Sequence, residues 1–195
     1  EGLAEDHLVD RLVDDFLEAR HVHALLSGRQ VDKAVELCVE EILLAAGGNA
    51  VDAAIATAAC MPILEPCSNG LGSDAFCILW DGERLHGLNA SGPAPAAWTR
   101  ERFSQHTSMP LRGWDSVTVP GAVSAWAALS KRFGKLPFEQ LMTPAAEIAE
   151  RGYAVPVVVQ QKWTLASNVP DLVSQPGFVQ TFLPHGRAPY IGERF

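Results

Sequence analysis

The residues whose types and spacing suit chemistry gather in one glycine-rich stretch, Gly70-Leu71-Gly72-Ser73-Asp74-Ala75. Such a stretch could cradle a phosphate with backbone amides or present a serine nucleophile on a tight turn. The dinucleotide-binding fingerprint needs a strand before it and a helix after it, so that the helix N-terminus faces the pyrophosphate. Here the proline-containing run Glu65-Pro66-Cys67-Ser68-Asn69 precedes, and a strand-like run, Phe76 to Trp80, follows. The stretch does not read as a nucleotide site. Ser73 is followed by Asp74 and Ala75, so the G-x-S-x-G nucleophile elbow is also absent. The histidines (His7, His21, His23, His86, His106, His185) are scattered, and no Ser/His/Asp or Cys/His set can be assembled from their order. His21 and His23 read as solvated surface in a helix-prone acidic region.

Four cysteines (Cys38, Cys60, Cys67, Cys77) form no CxxC pair and have no metal-site spacing with histidine. Cys38, Cys60 and Cys77 sit in apolar surroundings and read as buried thiols. Cys67 lies in a loop and is the one candidate for reactivity. Net charge is −8. Residues 1–46 carry 11 acids against 4 bases, so almost all the acidity lies there. With a pI near 5.2, phosphate-rich partners are repelled, and nucleic acid is not an expected ligand. No apolar run approaches the roughly 20 residues that a membrane span needs. The first residues, with Glu1, Glu5 and Asp6, lack a basic leader segment, so a cytoplasmic rather than secreted protein is expected.

The elements that must position these residues follow from periodicity. Leu8, Leu12 and Phe16, beside Val9, Val13 and Leu17, predict an amphipathic helix over 5–20. A second runs from Asp32, a good N-cap, to Ala46, where Gly47-Gly48 stops it, and Ser27-Gly28 is the turn between them. Asn49 and Asp52 cap an alanine-lined helix, Val51 to Ala59, which Pro62 stops. Its faces are so small that close burial is expected. Residues 75–80 and 85–88 predict a hairpin turning at Asp81-Gly82. Ser116–Val119 reads as a short strand ended by Pro120-Gly121. Helices follow at 122–133, 138–150 and 156–167, the last with Pro156 at its first position. Residues 175–195 read as loop with one helical turn. Glycines 47, 48, 70, 72, 121 and 134 read as positions of positive φ or close approach. The pattern is a mixed α/β chain with an antiparallel hairpin rather than a regular βαβ series. Without more, it says only soluble α/β domain.

Seven blocks say more. They are Gly47-Gly48-Asn49-Ala50-Val51-Asp52-Ala53-Ala54, Glu65-Pro66, Gly70 to Phe76, Leu88-Asn89-Ala90-Ser91-Gly92-Pro93-Ala94-Pro95-Ala96-Ala97, Val117 to Val123, Arg132 to Phe138, and Pro144-Ala145-Ala146 with Ala149 and Gly152-Tyr153. In this order and spacing, from about residue 42 to 195, the chain resembles the large-subunit start of the gamma-glutamyltransferase family, the gamma-glutamyl transpeptidases and cephalosporin-type acylases. The resemblance implies an α/β (α+β) fold: part of an αββα N-terminal nucleophile hydrolase sandwich, with helices dominant in this segment. It also implies a proenzyme that cuts itself. The new N-terminal threonine of the small subunit, another portion of the same proenzyme, attacks an amide carbonyl. A gamma-glutamyl amide such as glutathione, or another small amide, is the implied donor. No cofactor and no metal are implied.

By the same resemblance, substrate binding falls at Asn89, Ser91, Gly92 and Pro93, with Asn69, Gly70, Gly72, Ser73 and Asp74 as a structural loop beside it. No catalytic residue is assigned, because none of the seven threonines sits in the Thr-x-His context of the family nucleophile. The isolated chain is expected to be inactive. Transpeptidases place an arginine just before the Ala-Pro of the Ala94-Pro95 block to clamp the substrate α-carboxylate, and a related branch reads Ser-Gly-Arg-Ala-Pro there. Here the positions are Ser91, Gly92 and Pro93. An acylase without gamma-glutamyl specificity therefore competes with a transpeptidase. A non-catalytic remnant that binds a partner is the alternative outside enzymes.

Residues 31–195 are expected to form the family segment and residues 1–30 an acidic helical segment outside it. That helix is a replacement element, a fused extension or a gene-model artefact. If residues 1–30 are an appendage, removing them leaves the thermal midpoint nearly unchanged; a large drop would place the helix in the core.

Overall fold

The computed structural model describes Val39 and residues 41–195. The helices are α1 (Ala50–Leu64), α2 (Ala122–Phe133), α3 (Phe138–Arg151), α4 (Val157–Ser167), α5 (Pro170–Val173) and α6 (Phe178–Phe182), and the strands are β1 (Ala75–Trp80) and β2 (Leu85–Ala90). The chain divides into two units. One comprises the described residues up to Asn69 with Ser130–Phe195, and the other Gly70–Leu129.

In the first unit, residues 41–45 are helical and the glycine pair stops them. Gly47 adopts φ +86°. Its N–H donates to Leu44 O at 3.1 Å and the Gly48 N–H to Leu43 O at 2.9 Å, a paired closure that satisfies carbonyls a helix end leaves open. The start of this helix, with Asp32 and Cys38, lies outside the described residues. So do the expected 5–20 helix, the Ser27-Gly28 turn, and His7, His21 and His23.

Asn49 and Asp52 cap α1 reciprocally. Asn49 Oδ1 accepts from the amides of Val51 (2.9 Å) and Asp52 (3.1 Å), and Asp52 Oδ2 accepts from the Asn49 amide at 2.9 Å. The Asp52 side chain is fully buried. It also takes the Lys135 N–H at 3.0 and 3.2 Å, while Asn49 Nδ2 donates to Phe133 O at 2.7 Å. One capping box thus ties the start of α1 to the turn before α3. The small face of α1 is buried as its composition requires, with Ala53, Ala56, Ala59 and Cys60 covered, and the helix packs on α3 through Leu141 and Ala145. Pro62 does not stop α1, contrary to expectation. It removes one helical bond, yet the Glu65 N–H reaches Met61 O at 2.8 Å and closes the final turn around it.

The remaining helices of this unit start and stop within a residue of expectation. Pro156 is the N-cap of α4 rather than its first residue. Trp163 on α4 is buried, donates its indole N–H to Phe182 O at 2.8 Å, and meets Phe195 edge-on at 4.6 Å. The tail is tied by backbone bonds between Tyr153 and Phe195 in both directions. Its expected helical turn is α6, and α5 was not anticipated. Burial pushes the Cys60 thiol up to about 12, as for an inert core cysteine. Cys67 is exposed, but its Sγ lies against Val159 O, and desolvation there raises its pKa despite the opposing charge of Lys162. That argues against a reactive thiol.

In the second unit, β1 and β2 pair antiparallel, with Ala75 opposite Ala90 and Trp80 opposite Leu85. β2 extends two residues beyond expectation. The connection is a four-residue loop rather than a two-residue turn, because Asp81 Oδ1 accepts from both the Glu83 and Arg84 amides at 2.9 Å. Those bonds, that of Arg84 foremost, together with His86, hold the Asp81 carboxyl far below its usual range. Cys77 on β1 is half-buried rather than buried. The expected strand at Ser116–Val119 is not one: Trp114–Ser116 form a 3-10 turn, and Val119 makes a single strand-like bond to Pro93 O.

Because every oxygen of Asp52 faces an N–H, Asp52→Asn turns an amide N–H toward backbone donors. Unfolding in urea should show a loss of about 2–4 kcal/mol, against about 1 kcal/mol for Asn49→Ala. Equal losses would refute the central role given to the carboxylate.

Candidate functional site

Where β2 ends, the backbone of Ala90–Pro93 lies against that of Val119–Gly121 with no side chain between them. A Cβ on Gly92 would fall 1.8 Å from Val119 O, and one on Gly121 would fall 1.9 Å from Ala90 O. Gly92 also adopts φ +75°, so both positions need glycine. The Val119 N–H donates to Pro93 O at 3.1 Å and Thr118 Oγ1 to Ser91 O at 3.1 Å. Ser73 O accepts from the amides of Gly121 (3.1 Å) and Ala122 (2.9 Å), which sets the first turn of α2.

This juxtaposition shapes an open cleft of about 470 Å³. Its eleven lining residues are Leu88 through Pro93, Pro120, Gly121, Ser124, Ala125 and Ala128, and none is charged or titratable. All four residues expected to bind substrate, Asn89, Ser91, Gly92 and Pro93, are on this wall. The expected structural loop is only partly there. Ser73 supports the first turn of α2 through its carbonyl, and the Gly70 carbonyl accepts the Ser73 N–H, but Gly70 does not line the cleft. Gly72 and Asp74 do not line the cleft, and Asn69 belongs to the first unit, where its amide donates to Glu65. Gly70 and Gly72 have neither positive φ nor a neighbour that a Cβ would strike, so the conformational role expected for them is not observed.

The α2 residues on the wall were missed. The signal present was Pro120-Gly121 directly before a helix of small residues, which permits close approach without saying to what.

The family model described as Gamma-glutamyltranspeptidase matches residues 38–195. The chain belongs to the gamma-glutamyltranspeptidase family. Within the family, it is 37% identical over 156 residues to the glutathione hydrolase-like YwrD proenzyme of Bacillus subtilis, covering 78% of this chain and 29% of that protein. It is 35% identical over 162 residues to the oxamate amidohydrolase proenzyme of Klebsiella pneumoniae, covering 78% of this chain and 30% of that protein. Among solved structures, a cephalosporin acylase from Bacillus halodurans superposes with a TM-score of 0.74 at 43% identity, covering 80% of this chain and 31% of that one. The Helicobacter pylori gamma-glutamyltranspeptidase superposes with a TM-score of 0.75 at 24% identity, covering 83% and 48%, and shows the shared fold. The chain thus spans about a third or less of the length of the curated relatives it matches.

Gly92→Ala and Gly121→Ala should each force the two backbones apart, at a cost of about 2–3 kcal/mol or more. Gly72→Ala, which meets nothing, should stay within about 1 kcal/mol of the parent. Thermal unfolding of the three variants decides. Equal behaviour would mean that the close approach does not build the cleft.

Proposed function

We propose that this chain is the N-terminal part of the large subunit of a self-processing amidohydrolase of the gamma-glutamyltranspeptidase family. The nucleophile is a threonine freed at the N-terminus of the small-subunit portion. Its hydroxyl attacks the substrate amide carbonyl, and its own α-amine takes the proton and passes it to the leaving nitrogen. The C–N bond breaks and an acyl ester remains on the threonine. Water then cleaves the ester, releasing the acid and restoring the hydroxyl. Donors that stabilise the tetrahedral oxyanion also belong to the small-subunit portion. The role of the present chain is to hold the acyl group.

One observation carries the choice among acyl groups: no residue of the cleft wall is cationic. A gamma-glutamyl donor needs its α-carboxylate held, and a guanidinium does this with two charge-assisted bonds. Ser91, Gly92 and Pro93 stand where the family places that arginine. The reading is therefore an acylase-type hydrolase with weak demand for an α-amino acid head. Gamma-glutamyl transfer from glutathione is the second reading. The relatives' names, which include an oxamate amidohydrolase and a cephalosporin acylase, support a family scaffold open to varied acyl groups.

In a proenzyme carrying this segment, Ser91→Arg or Pro93→Arg should lower KM for a gamma-glutamyl anilide about tenfold, the worth of a charge-assisted hydrogen bond. If neither substitution lowers it, the missing-clamp account is wrong. Intact mass of the native product tests the processing: two chains are expected, and a single uncut chain would remove catalysis from the account.

A further inference from the structure

We infer that the exposed face of the β1–β2 hairpin, with Phe76, Ile78, Trp80 and Leu85, is an interface for the rest of the proenzyme, which seats closely over Gly87. The inference rests on the reading of this chain as one portion of a longer self-processing proenzyme.

β1 reads Ala-Phe-Cys-Ile-Leu-Trp, without a polar residue. Alternation marks a strand with one wet face, whereas an unbroken apolar run marks a strand covered on both. Among the described residues, only one face finds even partial cover. Ala75, Cys77 and Leu79 are half-buried, while Phe76, Ile78 and Trp80 are 68%, 80% and 62% exposed. Leu85, opposite Trp80, is 66% exposed and joins them on this face. Four large apolar side chains on two strands thus face outward together, a patch of the kind that marks an interaction site. A two-stranded sheet also falls short of the third strand or packed layer that stability in water requires.

Gly87 says how close the cover comes. It sits in the middle of β2 opposite Ile78, on the same exposed face. Its φ lies outside the left-handed region, and a Cβ there would meet nothing within 4 Å. Neither backbone geometry nor packing among the described residues asks for glycine, and glycine inside a strand weakens it. Close approach of another chain segment over this point is the remaining physical reason for the residue. Phe76, Ile78, Trp80 and Leu85 then border a shallow apolar seat with Gly87 at its floor. Chain enough exists to fill it: the match covers 29% and 30% of the two curated relatives described above, so most of a proenzyme of that length lies outside this segment.

The test places each substitution in two settings: the 195-residue chain alone and a proenzyme that carries it. Gly87→Val suits a strand and meets no neighbour, so the chain alone should keep or raise its thermal midpoint. In the proenzyme the added side chain fills the seat, and the yield of soluble enzyme should fall about tenfold or more. Ile78→Glu should likewise cut the proenzyme yield, while in the chain alone it should lower binding of the apolar dye ANS. Unchanged proenzyme yield in both variants would overturn the interface. So would a stable dimer of the chain alone that both substitutions dissociate, because a second copy would then own the face. Intact mass of the parent proenzyme separates this inference from the processing reading. A single uncut chain whose soluble yield still falls with both substitutions sinks self-processing and keeps the interface. Two processed chains indifferent to both substitutions sink the interface alone.

Discussion

A buried carboxylate governs the first unit. Asp52 has no exposed surface, and its oxygens meet the amides of Asn49 and Lys135 instead of water. Moving a carboxylate out of water is affordable only when donors replace the lost hydration. The donors exist because α1 begins at Asn49 and because the chain turns at Gly134-Lys135 immediately before α3. Room for the carboxylate is left by two glycines: a Cβ on Gly134 would lie 2.7 Å from Asp52 Oδ1, and one on Gly48 3.3 Å from Oδ2. Two separate stretches of sequence, 48–52 and 134–135, are thus committed to one charge. The packing of α1 on α3, with its alanine face, follows from where that charge pins the helix start.

The second unit solves a different problem with backbone alone. Its cleft is shaped where two chain segments touch at Gly92 and Gly121, and the bonds there run from main chain to main chain or from a hydroxyl to a carbonyl. No ion pair holds this wall. The Arg102–Asp115 pair, at 2.6 Å and on the surface, ties the 98–116 excursion at another place. Exposed pairs of this kind contribute little to stability. Rigidity in the cleft therefore comes from close packing and hydrogen bonds rather than from charge.

How much of this was legible depends on the range of each interaction. The capping box was legible because Asn49 and Asp52 sit three residues apart, within one helical turn. Its extension to Lys135 and Phe133, more than 80 residues away, leaves no local trace. The helices at 122–133 and 138–151 were legible from periodicity and glycine stops. The strand expected at Ser116–Val119 failed because alternation specifies an extended chain, whereas a strand also needs a continuous partner, and Pro93 offers Val119 only one bond. At the site, Asn89, Ser91, Gly92 and Pro93 were singled out by family resemblance, not by residue chemistry. Ser124, Ala125 and Ala128 stayed hidden because the sequence gives the extent of α2 but not what it faces, which the contact of Gly121 with Ala90, distant in sequence, decides.

An arginine clamp and a neutral wall recognise by opposite means. A guanidinium attracts any nearby carboxylate, and its range and strength make it tolerant of small errors in position. A neutral wall acts only at contact distance, so it discriminates only if the backbone beneath it cannot shift. That condition is met here by the contacts of Gly92 with Val119 and of Gly121 with Ala90. This wall carries no cation, and its shape is set by the glycine contacts. Under the proposed acyl-holding role, a wall without a cation has to select by geometry, and the close approach of the two backbones fixes that geometry.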